Sequence, residues 1–179
     1  HGYARGPVEP CSTGAASFVA SSTDYITTGV GNSLTPLVTG FTASIWAKFN
    51  ATDQDYLVLA SANGTNQRMY IGTTGGSFDF GIGNAMWSAS TNTATTDWTH
   101  LALTVTTGGV ATFYINGVVD RADTSIGTFN DGTFGSDFAV GRQGSSSAYY
   151  TDGYACNAGI WTSTLTQAQI KSIMHKNCG

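Results

Sequence analysis

An all-β sandwich or barrel is the fold class this sequence predicts, and three observations predict it. From Ala15 onward, runs of β-forming residues are separated by Gly, Asn, Asp and Ser clusters at intervals of about 8–12 residues. Strict alternation occurs in Phe41, Ala43, Ile45, Ala47, Phe49 and again in Thr99, Leu101, Leu103, Val105, so each set lines one side of a sheet. Asn116-Gly117, flanked by Tyr114-Ile115 and Val118-Val119, is the dipeptide that a two-residue hairpin selects, because both turn residues need positive φ. The 179 residues are enough for one domain with a real core.

The elements follow in order. His1–Thr13 is rich in Pro and Gly, lacks periodicity, and reads as an extended arm preceding a domain over residues 14–179. Strands are expected at Ala15–Ala20, Asp24–Thr28, Phe41–Phe49, Asp55–Ser61, Gln67–Thr73, Ser77–Ile82 and Asn84–Ser90. Others follow at Asp97–Thr107, Val110–Ile115, Gly117–Ala122, Asp137–Arg142 and Tyr154–Trp161, with the Asn116-Gly117 turn at an exposed end. One helix closes the chain. Thr166 and Gln169 form a capping box, Leu165 can staple onto Ile170, and Ile170, Ile173, Met174 make a narrow apolar stripe.

Composition narrows the function. Charged residues are 10% of the chain and the net charge is −4, with seven scattered Lys and Arg, which leaves no basic stripe for nucleic acid. No apolar run is long enough for a membrane span. The chain starts at His1 and reads as a processed chain or a fragment. Low lysine content and the sequons Asn50-Ala51-Thr52 and Asn63-Gly64-Thr65 point to a secreted, extracellular glycoprotein carrying sugars on Asn50 and Asn63. Cys11, Cys156 and Cys178 allow one disulfide and one spare thiol, and their spacing fits no zinc site.

Several segments, in order and at the right spacing, carry a family resemblance over roughly residues 14–175. They are Ala16-Ser17-Phe18 with Asp24-Tyr25-Ile26, Phe41–Lys48, Trp98–Thr104 with Phe113–Gly117, and Gly153 through Ile160-Trp161 to Gln169-Ile170. Together they resemble the laminin-G/concanavalin-A-like domains. The resemblance implies a two-sheet antiparallel jelly-roll sandwich, with Trp46 and Trp98 in the core and His100 packed within a sheet. It also implies a mostly non-catalytic role in binding glycans, proteins or calcium, or in assembly. Neighbouring first and last strands in that family imply a Cys11–Cys178 disulfide with Cys156 reduced and buried; Cys156–Cys178 is the rival pairing.

Hydrolysis finds no support in the residues. Retaining glycosidases need two carboxyl groups about 5–5.5 Å apart, and the single glutamate, Glu9, lies in the arm. The pairs Asp53/Asp55, Asp120/Asp123 and Asp131/Asp137 read as turn residues. Calcium could take oxygen ligands from Asp152, with Asp24, Asp131 and Asp137 as further donors. A copper site at the N-terminal His1 would need a second imidazole, and only His100 and His175 remain. Trp87, Tyr149 and Tyr150 are candidates for stacking on glycan rings. The arm supplies the leading expectation. Tyr3, Pro7, Val8 and Pro10 lie in an extended segment able to add to a neighbour's sheet edge, making the chain a structural subunit of a homo-oligomer or filament. A lectin-like module is the alternative.

Overall fold

The computed structural model describes residues 10–11, 14–27, 40–63, 67–83, 85–123, 137–142 and 148–175. The strands are β1 Ala16–Phe18, β2 Ile26–Thr27, β3 Gly40–Phe49, β4 Tyr56–Asn63, β5 Gln67–Thr74 and β6 Ser77–Gly83. Then come β7 Ala85–Thr93, β8 Thr99–Thr106, β9 Ala111–Ile115, β10 Val118–Asp123, β11 Asp137–Val140 and β12 Gly153–Trp161, followed by helix α1 Gln167–His175. They build two six-stranded antiparallel sheets, ordered β1-β12-β3-β8-β9-β10 and β2-β11-β4-β5-β6-β7. This is the jelly-roll sandwich, and every expected strand has its counterpart.

The core lies between the two inner faces. Phe41, Ala43, Ile45, Ala47 and Phe49 of β3 and Leu101, Leu103 and Val105 of β8 meet Met69, Ile71, Phe78, Phe80 and Ile82 from the second sheet. Phe80 and Phe113 stack across the gap with centroids 4.4 Å apart, a geometry that contributes about 0.5–1.5 kcal/mol beyond area burial. The same period of two puts Thr42, Ser44, Trp46 and Lys48 on the outer face of the first sheet. Trp46 is therefore not a core residue of the sandwich, as its motif position suggested; it is half-buried on the far side.

Helix α1 covers part of that outer face. The capping box forms: the Thr166 N–H donates to Gln169 Oε1 at 2.8 Å, and the Gln169 N–H reaches back to Thr166 Oγ1 at 3.3 Å. Ile170 is fully buried against Ala102 and Tyr114, flanked by Leu165 and Ile173. The Asn116-Gly117 turn has the expected positive φ values, 51° and 73°, but it is not a free end. Gln167 Nε2 donates to the Gly117 carbonyl at 2.9 Å, and a Cβ at Gly117 would stand 2.8 Å from Lys171 Cγ. Helix and hairpin thus grip each other, leaving Gly117 buried and Asn116 exposed.

The disulfide is Cys11–Cys156, with Cα atoms 6.1 Å apart, and this overturns both the Cys11–Cys178 pairing and the reduced state expected of Cys156. The register gives the reason. β1 pairs only with the first three residues of β12, Ala16 opposite Ala155 and Phe18 opposite Gly153. Continuing that antiparallel ladder brings Cys156 beside the residues just before β1, not to the opposite end of the sheet. Cys178 lies outside the described residues.

Candidate functional site

An exposed aromatic group is built where β2 and β11 pair, Val140 opposite Ile26. Gly141 follows β11 with φ 94°. A Cβ there would stand 2.5 Å from the Phe18 ring and 3.1 Å from the Asp24 carbonyl, so only glycine lets the chain pass this close. The pass delivers Arg142, whose guanidinium carbon sits 3.6 Å from the centroid of the Tyr25 ring, a cation–π contact. The Thr151 N–H then donates to the Gly141 carbonyl at 2.8 Å and anchors Tyr149-Tyr150 alongside. Tyr150 lies 6.5 Å from Tyr25, ring to ring, at a 48° tilt.

Both Tyr25 and Tyr149 are 45% exposed, large values for aromatic rings. Tyr149 also holds φ at 57°, a left-handed conformation that non-glycine residues adopt only when surrounding structure imposes it. Arg142 Nε is buried without a hydrogen-bond partner among the described residues. The arrangement presents flat apolar faces together with a cation and hydrogen-bond donors. It is suited to the underside of a sugar ring and to its hydroxyl or carboxyl groups.

Tyr150, with Tyr149 its exposed neighbour in the chain, is thus brought to Tyr25 and Arg142, two residues that sequence reasoning missed. Their signal was faint but present: each flanks a short strand of the second sheet. Trp87 lies on β7, at the opposite edge of the second sheet from β2. It pairs with Phe80 between β7 and β6, and its side chain lies outside the described residues. Asn50 is exposed directly after β3 and its N–H donates to the Asp152 carbonyl at 3.0 Å. Asn63 ends β4 opposite Gln67, with its side chain not described.

Among the described residues no three His, Cys, Asp or Glu side chains converge to hold a metal. The Asp152 carboxylate lies near Tyr56, whose hydroxyl is pushed up by burial first and then by the charges of Asp152 and Asp53. Asp55, in the connection before β4, accepts from Thr74, the role expected of a turn residue. Asp120 accepts from Asn92, but it and Asp123 lie in β10 and Asp137 opens β11, so these three are strand residues and not the turn residues expected. Of the arm, Pro10 is buried, and its carbonyl accepts from Asn157 Nδ2 at 3.2 Å. His1, Tyr3, Pro7, Val8 and Glu9 lie outside the described residues, as does Asp131. No helix among the described residues is long and apolar enough to cross a membrane.

Two antiparallel six-stranded sheets in a jelly roll define a concanavalin A-like class of domain. The chain belongs to the Laminin_G_3 family of the concanavalin A-like lectin/glucanases superfamily, whose profile matches residues 20–171. No curated protein sequence matches it. Among solved structures it is similar to domain 4 of AbnA, a GH43 extracellular arabinanase from Geobacillus stearothermophilus, in complex with arabinotriose. The TM-score is 0.60 and identity 22%, with 76% of this chain and 66% of that one covered. It is also similar to the receptor-binding domain of botulinum neurotoxin mosaic serotype C/D, with TM-score 0.67, 15% identity, and 87% and 40% covered. A third is the binding domain of botulinum neurotoxin DC in complex with rat synaptotagmin II, with TM-score 0.64, 12% identity, and 84% and 39% covered. The chain spans just under two thirds of the arabinanase domain and well under half of either toxin domain. At these identities the likeness is one of fold.

Proposed function

We propose that the chain is a non-catalytic, extracellular carbohydrate-binding module. The observation that carries this reading is the pair of exposed rings, Tyr25 and Tyr149, with half-buried Tyr150 beside Tyr25 and Arg142 over the Tyr25 ring. The fold family and an arabinotriose-bound structural neighbour support it, and the lone glutamate in the arm argues against glycoside hydrolysis. The disulfide and the exposed Asn50 sequon favour an oxidising, secretory setting. The test is titration with arabinotriose and a glycan array, on the native chain and on Tyr149→Ala. Binding that falls at least about tenfold, the equivalent of roughly 1.4 kcal/mol, is the expected result. Binding that survives both Tyr149→Ala and Tyr25→Ala moves the site elsewhere.

Self-assembly through the arm is the second reading, favoured by a separate observation. β10 is an outer strand of the first sheet, with Val118 58% and Val119 44% exposed. The base of the arm is fixed by Cys11–Cys156 beside β1, at the opposite edge of the same sheet. A donor segment at one edge and an acceptor strand at the other would join copies head to tail. Comparing solution masses of the full chain and a chain lacking residues 1–9 decides this. A loss of higher-order species on truncation is expected, and identical masses would remove the arm as connector.

A further inference from the structure

A cleft of about 390 Å³ lies between α1 and the outer face of the first sheet, away from the tyrosine rim. Ser44 and His100 lie on the sheet, Trp46 and Trp161 contribute indoles, and the chain from Asn157 to Gly159 and Ile173 of α1 complete the lining. The volume falls at the lower end of small-ligand sites, about 300–1,000 Å³.

Each wall is held in place. The Trp46 Nε1–H donates to the Met174 carbonyl of α1 at 3.4 Å, and its ring meets the His100 imidazole at 5.3 Å in an edge-on contact. The Trp161 indole lies across Gly159, where a Cβ would come within 2.5 Å of the ring. The β3–β12 ladder is interrupted between Cys156 and Gly159. There Asn157 takes the left-handed conformation, φ 53°. That bulge is pinned on one side by the Cys11–Cys156 disulfide and the Asn157–Pro10 hydrogen bond. These contacts make the cleft a preformed feature and not slack in the packing.

The chemistry of the lining selects a ligand. His100 is 2% exposed, and its Nδ1 is buried without a hydrogen-bond partner among the described residues. Buried polar atoms are nearly always paired, so the Nδ1 calls for a partner, which a water or a ligand hydroxyl in the cleft can supply. Ser44 is equally buried and adds a hydroxyl. Among the described residues the lining carries no Asp, Glu, Lys or Arg side chain, which favours an uncharged ligand over an ionic one. Two indoles with an imidazole, a hydroxyl and an amide suit one uncharged ring bearing hydroxyl groups on its edge and C–H groups on its face.

We infer that the cleft between α1 and the first sheet is a second binding site, which takes a single neutral sugar ring in contact with Trp46, Trp161 and His100. The cleft lies on the first sheet, apart from the tyrosine rim at β2 and β11 of the second. The test is a titration of the full chain with methyl β-D-glucopyranoside, methyl β-D-xylopyranoside and methyl α-L-arabinofuranoside. The readout is the NMR indole signals of Trp46 and Trp161. Saturable shifts of both signals by at least one probe, at millimolar concentration, are expected. They should weaken at least about fivefold in His100→Phe, which fills the polar corner, and persist in Tyr25→Ala. Ser44→Ala is the milder variant should His100→Phe fail to fold, and it should weaken the same shifts. No saturable shift with any probe up to about 100 mM, well above the millimolar range, overturns the inference. Shifts that vanish in Tyr25→Ala but survive His100→Phe, or Ser44→Ala in its place, would assign them to the rim and overturn it equally.

Discussion

The outer faces of the two sheets each bury an ionisable group, and they do so by different means. On the first sheet, His100 lies in the row opposite the core set and α1 closes over that face, with Ile170 seated on Ala102 and Tyr114. On the second, Tyr70 lies across Gly81, where any Cβ would collide with its ring, and its hydroxyl reaches Asp79 Oδ2 at 3.4 Å. Burial penalises whichever form is charged, so the two groups move in opposite directions. His100 is pushed down to about 4 by burial, with a smaller push from His175. Asp79 is pushed up to about 6 by burial, with Asp55 adding to it and the Phe80 N–H and Tyr70 hydroxyl opposing it. One face holds an unprotonated base and the other holds on to an acid's proton.

Removing the lid is the largest perturbation of this comparison. Ile170→Ala should cost about 2–5 kcal/mol, the range for emptying a buried isoleucine position. It should also return His100 toward its ordinary value of 6.5. Chemical denaturation and the His100 ring signals in an NMR pH titration check the two halves. An unchanged His100 titration would mean that α1 is not what shields it.

Acid should then separate the faces. Between pH 6.5 and about 4 the unfolded chain protonates His100 while the folded chain does not, so this contribution is present at neutral pH and is lost on acidification. Its full size is about 3 kcal/mol, reached only below the folded value. Asp79 works the other way. Its folded carboxyl keeps a proton up to about pH 6, while the unfolded group releases it near 3.8, so its contribution is present in acid and disappears as pH rises through 6. His100→Phe should therefore gain stability between pH 6 and 4, and Asp79→Asn should lose it more steeply than the parent. Urea midpoints at pH 4, 5, 6 and 7 test both, and parallel curves for the two variants would refute the opposition.

The smallest expected effect belongs to the rim, which neither face shields. Tyr25→Ala removes an exposed cation–π contact and should shift stability by no more than about 1 kcal/mol. A larger loss by thermal melting would show that the tyrosine group supports the fold as well as facing solvent.

The strands were legible in the sequence because a half-buried strand writes its orientation into alternate residues, and α1 because its capping box and staple are local. Both Trp46 and His100 were legible by the same rule; His100 packs within its sheet as expected, and only Trp46 was misjudged. Trp46 falls in the row opposite Phe41, Ala43 and Ile45, and His100 in the row opposite Leu101 and Leu103; alternation alone assigns both to the outer face. Tyr25 and Arg142 meet only because β2 pairs with β11 across more than a hundred residues, a contact no local pattern encodes. The disulfide was misread for a similar reason. It depends on β1 ending its ladder three residues into β12, a register fact and not a composition fact.

Cys11 and Cys156 stand 145 residues apart, so their bond turns most of the molecule into a covalent ring. A loop of that size is worth about 5 kcal/mol in the chain-entropy model. Its topological effect is independent of that figure. A protease that nicks any connection between the two cysteines leaves one covalent body, with every strand still beside its partner. Cutting alone does not divide the domain, nor does reduction alone; separation into fragments requires both. The chain could equally be reopened at a surface turn such as Gly75-Gly76, with new ends there, and still be held together at its original seam.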